Sequence, residues 1–466
     1  WKANGIFEKS ISNRPASKPY TFYEGPPSAN GMPGIHHVMA RAIKDIFCRY
    51  QTQKGFQVKR KAGWDTHGLP VELGTEKELG ITKEDIGKTI SIEEYNEACK
   101  RTVMRYTDVW NDLTEKMGYW VDMEDPYVTY KSKYMETVWW LLSEIYKKGL
   151  IYKGYTIQPY SPKAGTGLSS HELNQPGTYQ DVTDTTVTAM FKINDSKASP
   201  YGGGLEGAFI IAWTTTPWTL PANTALTVGP KIEYVTVKTY NQYTFLPVTI
   251  IVAKDLAEKQ FDKKFIKVNT EEDLEPYNEG DKIPYFIGDS FLGKDLVGIR
   301  YEQLMPYVKP FHNPENAFRV IAGDFVTTDD GTGIVHTSPT FGADDALVAK
   351  QAVPEVPALL IKDENDNLVP IVDLQGKFRK EIGEFGGKYV KNEYYDGDAP
   401  EKSVDVEIAI KLKEENRAFK VEKYLHSYPN CWRTDRPILY YPLDSWFIKV
   451  TEFKDRMHEL NQEINW

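Results

Sequence analysis

The fold class is best indicated by residues 19–50, PYTFYEGPPSANGMPGIHHVMARAIKDIFCRY. Pro19 to Tyr23 is typical of a short strand, and the glycines and prolines of residues 25–31 end it. A helix is predicted from Gly34 onward, because apolar residues then recur at helical spacing. These residues are Met39, Ile43, Phe47 and Tyr50. A strand, a loop and a helix in this order predict an α/β fold with a parallel sheet.

Two further helices continue this pattern. Ser91 and Glu94 have the spacing of a capping box, which predicts a long helix that begins there and ends at Gly118. Its apolar stripe, with steps of four and three, consists of Cys99, Val103, Tyr106, Trp110, Leu113 and Met117. The next helix is predicted from about Lys133 to Gly149.

Near residue 185 the pattern changes to short strand-like runs separated by turns. The runs are residues 208–213, 234–237, 248–253 and 319–326, with a turn cluster at residues 329–333. We therefore predict an α/β domain over residues 1–184, a mainly β insertion over residues 185–398, and a return to mixed α/β structure over residues 399–466.

The composition excludes several classes of protein. With 41% hydrophobic and 26% charged residues, the chain is an ordinary globular one rather than disordered or fibrous. No apolar run approaches the roughly 20 residues that cross a bilayer, so no membrane partner is expected. Three cysteines are too few for a disulfide framework and suit a reducing compartment, which favours a cytoplasmic location. The net charge of −10 argues against a uniformly basic nucleic-acid surface but leaves room for a local one.

Residues 25–37 form the first candidate site. A strand end, a loop rich in glycine and proline and a helix N-terminus together favour an anion, because free backbone N–H groups and the helix dipole face it. His36 and His37 lie on the first turn of that helix, where their N–H groups could donate to phosphate oxygens. The alternative is a turn whose histidines simply face solvent. The spacing matches neither a P-loop nor the dinucleotide-binding glycine pattern.

Residues 63–70, GWDTHGLP, form the second candidate site. Gly63 closes a strand predicted at Gln57 to Arg60, and Asp65 follows on the side where open α/β sheets bind ligands. The carboxylate of Asp65 could hold an ammonium group. The alternative, a more common role for such a residue, is an aspartate that caps the following turn.

These motifs, with others later in the chain, resemble those of the isoleucyl-tRNA synthetase family, a class I aminoacyl-tRNA synthetase family. The matching segments are residues 23–31, 36–37, 63–70, 118–122, 213–223, 331–337, 426–433 and 445–447. They occur in order and at sensible spacing along nearly the whole chain. The valyl and leucyl families share the fold, but GWDTHGLP after EGPP is typical of the isoleucyl family.

The resemblance implies a Rossmann-type catalytic domain that activates isoleucine with ATP and Mg²⁺ and transfers it to tRNA(Ile). Positioning and charge stabilisation then carry the catalysis. The implied site residues are His36 and His37 as catalytic residues, Gly34, His36 and His37 as the ATP site, and Gly25, Pro26 and Asp65 as the amino-acid site.

The first departure from the family pattern lies in the ATP signature. The family carries His-x-Gly-His, whereas this chain has Gly34-Ile35-His36-His37, with the first and third positions exchanged. His36 is expected to crowd the nucleotide at a place where glycine normally admits it. Gly34 is expected to restore room one turn away, since positions 34 and 37 share a helix face.

The second departure concerns a metal. Many relatives carry Cys-x-x-Cys at both segments that match residues 161–164 and 431–434, and the two pairs form a structural zinc site. In this chain the corresponding residues are Ser161, Ala164, Cys431 and Thr434. One thiolate cannot make a tetrahedral structural site, so no zinc and no other bound metal is predicted.

The mainly β insertion resembles the family's hydrolytic editing domain. One methylene separates isoleucine from valine and is worth only about 1–3 kcal/mol, a limit for which isoleucyl enzymes are themselves the standard example. Higher fidelity therefore needs a second, hydrolytic site. The resemblance places this site at Thr214, Thr215, Thr216, His336 and Asp345.

The roles implied for these residues each have an alternative. The threonine hydroxyls would orient a water and the terminal ribose, and Asp345 would bind the ammonium of misattached valine. Taken alone, the threonines would be a strand end rich in β-branched residues. His336 either shapes the site or is a strand histidine whose hydrogen bonds are satisfied within the fold.

Two alternative functions stay open from the sequence. The protein could be a valyl or another branched-chain class I synthetase. The family's second ATP signature, Lys-Met-Ser-Lys-Ser, does not occur in this sequence, and no anticodon-binding domain is expected within these residues. The chain by itself could therefore be only an editing deacylase or a module that binds tRNA ends. The expected partners are tRNA(Ile), isoleucine and ATP, and a monomer is expected.

Overall fold

A computed structural model describes residues 1–194, 205–275 and 277–464 of the chain. The chain divides into two compact units. The first comprises residues 1–152 together with the C-terminal residues from 446 onward, and the second comprises residues 153–445.

Eleven α-helices and nineteen strands occur in these described ranges. The helices are α1 Ile6–Ser12, α2 Ile35–Gln53, α3 Leu69–Leu79, α4 Ile92–Val103, α5 Thr107–Met117, α6 Ser132–Lys147, α7 Ser170–Leu173, α8 Lys254–Ala257, α9 Ala343–Gln351, α10 Val404–Glu414 and α11 Lys454–Gln462. Within the described part of the chain, no helix combines the length and the apolar character needed to cross a bilayer.

The strands are β1 Pro19–Tyr23, β2 Gln57–Trp64, β3 Asp122–Val128, β4 Ile151–Ser161, β5 Thr166–Gly167, β6 Tyr179–Lys192, β7 Phe209–Thr214, β8 Ala225–Val228, β9 Glu233–Tyr240, β10 Pro247–Ala253, β11 Phe265–Lys267, β12 Ile283–Leu292, β13 Arg319–Ala322, β14 Ile334–Thr337, β15 Leu360–Lys362, β16 Leu368–Pro370, β17 Ala418–Cys431, β18 Arg436–Pro437 and β19 Leu439–Ile448. The short 3-10 helices are Lys2–Asn4, Lys83–Asp85, Pro217–Ala222, Glu258–Gln260, Glu272–Leu274, Gly293–Asp295, Pro314–Asn316, Lys380–Phe385, Asn392–Tyr394 and Val450–Glu452.

The first unit is built on a parallel sheet in the order β1-β2-β3. Helix α2 connects β1 to β2, so the strand–loop–helix–strand order predicted from the sequence is confirmed. The second strand is longer than predicted, because β2 passes through Gly63 and ends at Trp64. Gly63 pairs with Tyr127 of β3, and a Cβ there would lie 2.3 Å from the Tyr127 ring. Glycine therefore admits a neighbouring ring at this point and does not end the strand.

The long helix predicted after Ser91 is wrong in one respect, because it is broken into α4 and α5. Its capping box is present: the Ser91 hydroxyl accepts the Glu94 N–H at 3.2 Å, and the Glu94 carboxylate accepts the Ser91 N–H at 3.1 Å. The break falls at residues 104–106, where the Tyr106 N–H is donated at 2.9 Å to the Ala29 carbonyl. A tertiary contact therefore replaces a helical hydrogen bond, in a segment with no glycine or proline to announce it.

The second unit contains the mainly β part that the sequence predicts. Its large sheet runs in the order β11-β12-β9-β10-β7-β14-β8-β13, and β6 and β17 join it through β7. Strand β7 is central, since it pairs with β6, β10 and β14 and most of its residues are buried. The four predicted strands correspond to β7, β9, β10 and β13, although β13 ends at Ala322 and not at Val326.

The α/β fold class, with a parallel-sheet part and a large mainly β part, is confirmed by this architecture. The predicted domain limits stay a prediction. The limit at 184/185 falls inside β6, and the limit at 398/399 falls in the connection before α10. Both lie within the second compact unit.

Replacing Gly63 by alanine tests the close packing of β2 on β3. Because the added Cβ would overlap the Tyr127 ring, we expect Gly63→Ala to lower the free energy of unfolding by about 1–3 kcal/mol. Gly74 lies within α3, has open space around it and has no positive φ, so Gly74→Ala is the matched control. It should leave stability unchanged or raise it by about 0.4–1 kcal/mol. Urea denaturation of both variants measures the difference, and equal effects would contradict the packing account.

Candidate functional site

The loop of residues 25–31 in the first unit is fixed by hydrogen bonds from two neighbouring segments. The Asp65 N–H is donated to the Pro27 carbonyl at 3.0 Å, which places Asp65 beside the loop. The indole N–H of Trp110 is donated to the Gly31 carbonyl at 2.9 Å. The structure therefore brings the two predicted segments, the loop and the residue after β2, together. The Asp65 carboxylate accepts the His67 N–H only at a long 3.4 Å, so turn capping uses little of its capacity.

His37 caps the start of α2. The Gly34 N–H is donated to Nδ1 of His37 at 2.9 Å, so in the neutral ring the proton lies on Nε2, which remains a donor. Burial, together with His36 and the charge of Arg41, lowers the pKa of His37. The ring also packs edge-on against Trp110 at 4.7 Å between centroids.

The exchange of glycine and histidine between positions 34 and 36 has a steric consequence that the sequence alone does not show. The ring of His36 folds back over Gly34, so that a Cβ at position 34 would lie 2.8 Å from its Cε1 atom. Gly34 thus makes room for His36, and His36 occupies the place that a side chain at position 34 would take. In this arrangement of the His36 ring, a glycine at position 34 avoids that contact.

A buried carboxylate, which the sequence analysis did not single out, lies below this loop. Glu24 is 3% exposed and pairs with the Lys44 ammonium at 2.5 Å, and it accepts the hydroxyl of Tyr119. Its carbonyl accepts the hydroxyl of Tyr127. Lys44 lies on α2, so Glu24 links the end of β1 to the helix that carries the histidines. It follows the strand directly in the sequence, but no local pattern marks it as buried.

The second candidate site is a cavity of about 230 Å³ in the second unit. All five predicted residues line it: Thr214, Thr215, Thr216, His336 and Asp345. The sequence reasoning did not name five other lining residues as site residues: Trp213, Thr219, Val335, Ser338 and Phe341. Thr219 and Trp213 belong to the quoted segment 213–223 and Val335 to the quoted segment 331–337, so the sequence did contain a signal for those three.

The threonine turn, residues 214–216, lies where β7 ends. Thr214 is the last strand residue, and Pro217 begins the 3-10 helix Pro217–Ala222, which directs the chain away from the sheet. The Thr214 hydroxyl oxygen accepts the Thr216 N–H at 3.1 Å and lies 3.3 Å from the Thr216 hydroxyl. The turn is therefore closed by its own side chains, and the hydroxyl groups collect at one wall of the cavity.

His336 both lines the cavity and has its ring nitrogens occupied. Its Nε2 atom lies 3.0 Å from the Thr219 hydroxyl, and its Nδ1 atom lies 2.8 Å from the amide nitrogen of Asn223. Burial lowers the pKa of His336 to about 4, so the ring is neutral at physiological pH. The two alternatives from the sequence thus describe the same residue, which is a satisfied strand histidine at the wall of the cavity.

Asp345 lies in the first turn of α9 and carries a carboxylate with one fixed partner. Its Oδ2 atom accepts the Ser338 N–H at 2.8 Å. Burial raises its pKa to about 6, and the neighbouring charge of Asp344 acts in the same direction. Among the described residues no lysine or arginine forms an ion pair with it. A carboxylate that lines a cavity without a counter-ion favours a cationic ligand group.

Two segments match the positions of the zinc ligands in many relatives, residues 161–164 and 431–434. Each forms a turn closed by its own hydrogen bonds. The Ser161 hydroxyl accepts the Ala164 N–H at 3.2 Å, and the Cys431 carbonyl accepts the Thr434 N–H at 3.1 Å. Within the described ranges, no group of three or more histidine, cysteine or carboxylate side chains is placed to hold a metal. The absence of a structural zinc stays a prediction from the sequence.

The family model "tRNA synthetases class I (I, L, M and V)" matches residues 1–466. The chain is 60% identical over 478 residues to the isoleucine–tRNA ligase of Cytophaga hutchinsonii, covering 100% of this chain and 42% of that protein. It is 42% identical over 468 residues to the isoleucine–tRNA ligase of Clostridium tetani, covering 100% and 39%.

A solved structure, the ternary complex of Agrobacterium radiobacter K84 LeuRS with tRNA and LeuAMS, is 16% identical to this chain. It aligns with a TM-score of 0.31, over 94% of this chain and 48% of that one. The chain spans about two fifths of the length of the curated relatives it matches.

The raised pKa of Asp345 predicts a pH-dependent difference in stability. A carboxyl whose pKa is about 6 when folded and near 3.9 when unfolded stabilises the fold below pH 4 and loses that contribution as the pH rises through 6. Relative to Asp345→Asn, the natural protein should therefore lose up to about 3 kcal/mol of unfolding free energy between pH 4 and pH 7. Urea denaturation at several pH values measures this difference. A constant difference would mean that Asp345 is not desolvated.

Proposed function

Because this chain belongs to the class I tRNA synthetases (I, L, M and V), we propose that its protein is an isoleucine–tRNA ligase that also hydrolyses mischarged valyl-tRNA. The high identity to relatives named for isoleucine supports the choice of amino acid. The observation that carries the hydrolytic half is the cavity that Asp345 shares with the threonine turn. Its carboxylate has no counter-ion among the described residues, and a bound amino acid would supply one.

The synthetic reaction needs orientation more than covalent chemistry from the protein. A carboxylate oxygen of isoleucine bonds to the α-phosphorus of ATP, the bond to the bridging oxygen breaks, and pyrophosphate leaves. A Mg²⁺ ion on the phosphates would stabilise their charge. His37 offers its Nε2–H to a phosphate oxygen, and Asp65 offers its carboxylate to the substrate ammonium. Gly25 and Pro26 form the adjacent wall of the amino-acid site. These groups act by positioning and charge, and tRNA(Ile) is the acceptor of the activated amino acid.

The hydrolytic reaction takes place in the second unit. Water adds to the ester carbonyl of valyl-tRNA, the ester C–O bond breaks, valine keeps the hydroxyl of the water, and the ribose oxygen takes its proton. Asp345 holds the ammonium of valine, which favours the ionised carboxylate. The hydroxyl groups of residues 214–216 orient the water. His336 is neutral with both ring nitrogens bonded, so it holds Thr219 in place and does not act as the base.

The remaining features of the proposal follow from the family and the composition. We propose that the protein works as a monomer in the cytoplasm, with tRNA(Ile), isoleucine and ATP as partners, and without a membrane partner or a structural zinc. The second candidate is a valyl enzyme that shares the same fold. Pyrophosphate exchange with ATP in the presence of isoleucine, valine or leucine separates the two, because only the cognate amino acid supports fast exchange at low concentration.

Deacylation of Val-tRNA(Ile) and Ile-tRNA(Ile) tests the hydrolytic half directly. The protein should hydrolyse the valyl ester in preference, and Asp345→Ala should slow that reaction about 30-fold or more, since one partner of a charge pair is lost. Asp344→Ala is the matched control, because Asp344 precedes Asp345 on the same helix and is exposed. It should keep most of the activity. Equal losses in the two variants, or no preference for the valyl ester, would contradict the assignment.

A further inference from the structure

A continuous chain of hydrogen bonds leads from a fully buried tyrosine to the threonine turn. The Tyr301 hydroxyl is donated to the amide oxygen of Asn223 at 2.7 Å. The amide nitrogen of Asn223 lies 2.8 Å from Nδ1 of His336 and is also donated to the Ala225 carbonyl at 2.8 Å. On the other side of the ring, Nε2 lies 3.0 Å from the Thr219 hydroxyl. Four side chains are thus connected in one row, of which His336 and Thr219 line the cavity.

The donors in this row all point in one direction. The Tyr301 hydroxyl donates to Asn223, which fixes the oxygen of that amide toward the tyrosine. The nitrogen end of Asn223 can only donate, so Nδ1 of His336 must accept and its proton must lie on Nε2. The ring then donates to the Thr219 oxygen.

Thr219 connects this row of hydrogen bonds to the threonine turn. Its hydroxyl is donated to the Thr216 carbonyl at 2.8 Å, and its oxygen lies 3.4 Å from the Thr216 hydroxyl. Because its single proton is used on the carbonyl, Thr219 can offer the Thr216 hydroxyl only a lone pair. Tyr301, which does not line the cavity, is therefore connected through this row to the Thr216 hydroxyl, which also lies 3.3 Å from the Thr214 hydroxyl.

We propose that Tyr301 and Asn223 are positioning residues of the hydrolytic site, which fix the proton of His336 on Nε2 and thereby orient Thr219 and Thr216. The link to hydrolysis rests on the proposed function, whereas the placement of the proton rests on the geometry alone. Without the Tyr301 hydroxyl, the Asn223 amide oxygen loses its partner, and the amide can turn over and present that oxygen to Nδ1 at the expense of its bond to the Ala225 carbonyl. The proton of His336 then moves to Nδ1, and Thr219 must donate to Nε2 and release the Thr216 carbonyl.

The position of the proton is read by nitrogen NMR of the protein labelled with ¹⁵N-histidine. The couplings between the ring nitrogens and the carbon-bound protons distinguish the Nε2–H form from the Nδ1–H form. The signal of His336 is identified by its loss in His336→Gln. At neutral pH the natural protein should show the Nε2–H form, and Tyr301→Phe should show the Nδ1–H form at least in part.

A second variant and a control separate positioning from general damage. Asn223→Asp keeps the partner of Tyr301 but replaces the donor beside Nδ1 with an acceptor, so it should give the Nδ1–H form as well. Tyr394 is also fully buried and donates its hydroxyl to a backbone carbonyl, that of Pro437. Tyr394→Phe removes the same group elsewhere and should leave the His336 signal and the deacylation rate unchanged.

The deacylation rate completes the test. Tyr301→Phe should lower the hydrolysis of Val-tRNA(Ile) about tenfold with the exchange of pyrophosphate unchanged, because only the hydrolytic cavity is disturbed. If both Tyr301→Phe and Asn223→Asp keep the Nε2–H form unaltered, the proposal is overturned. This holds even when the natural protein deacylates Val-tRNA(Ile) normally. If the natural protein does not deacylate Val-tRNA(Ile) but the His336 proton still moves in Tyr301→Phe, the proposed function is overturned. The placement of the proton then still holds.

Discussion

The candidate hydrolytic site depends on one buried ionic contact behind the threonine turn. The Asp405 carboxylate accepts the backbone N–H of Trp218 at 2.8 Å and so holds the 3-10 helix that follows the threonines. Lys391, only 6% exposed, lies 3.6 Å from that carboxylate and 3.1 Å from Asp184. Burial raises the pKa of Asp405, and Lys391 opposes this by stabilising the charge. Removing the lysine would leave two carboxylates without a buried cation, so the turn and its hydroxyl groups depend on this contact.

The two units share one arrangement of polar groups at the end of a strand. In each, a strand ends, a turn rich in glycine, proline or threonine follows, and polar groups collect at the strand end. In the first unit the groups are ring and backbone N–H donors with Asp65 nearby, which suit an anion and an ammonium together. In the second they are hydroxyl groups with Asp345, a carboxyl group whose pKa is raised by burial.

Local patterns in the sequence predicted much of the fold, and the family resemblance predicted five of the residues that line the cavity. The strand before the threonines, the helix after Gly34 and the capping box at Ser91 each follow from residues a few positions apart. The break between α4 and α5 could not be predicted, because its cause is a hydrogen bond to Ala29, far away in the sequence. For the same reason no local pattern indicates that Tyr301 belongs to the site, because its hydrogen bond to Asn223 joins residues 78 positions apart. Contacts between distant polar residues leave no periodic pattern to read.

The proposed hydrolytic function requires that Asp345 bind the amino group of an amino acid in the cavity. Calorimetric titration with a hydrolysis-resistant valyl-adenosine and with its analogue lacking the amino group tests this requirement. We expect the amine-bearing ligand to bind at least about tenfold more tightly, and Asp345→Asn to abolish the difference. Equal affinities of the two ligands for the natural protein would contradict it.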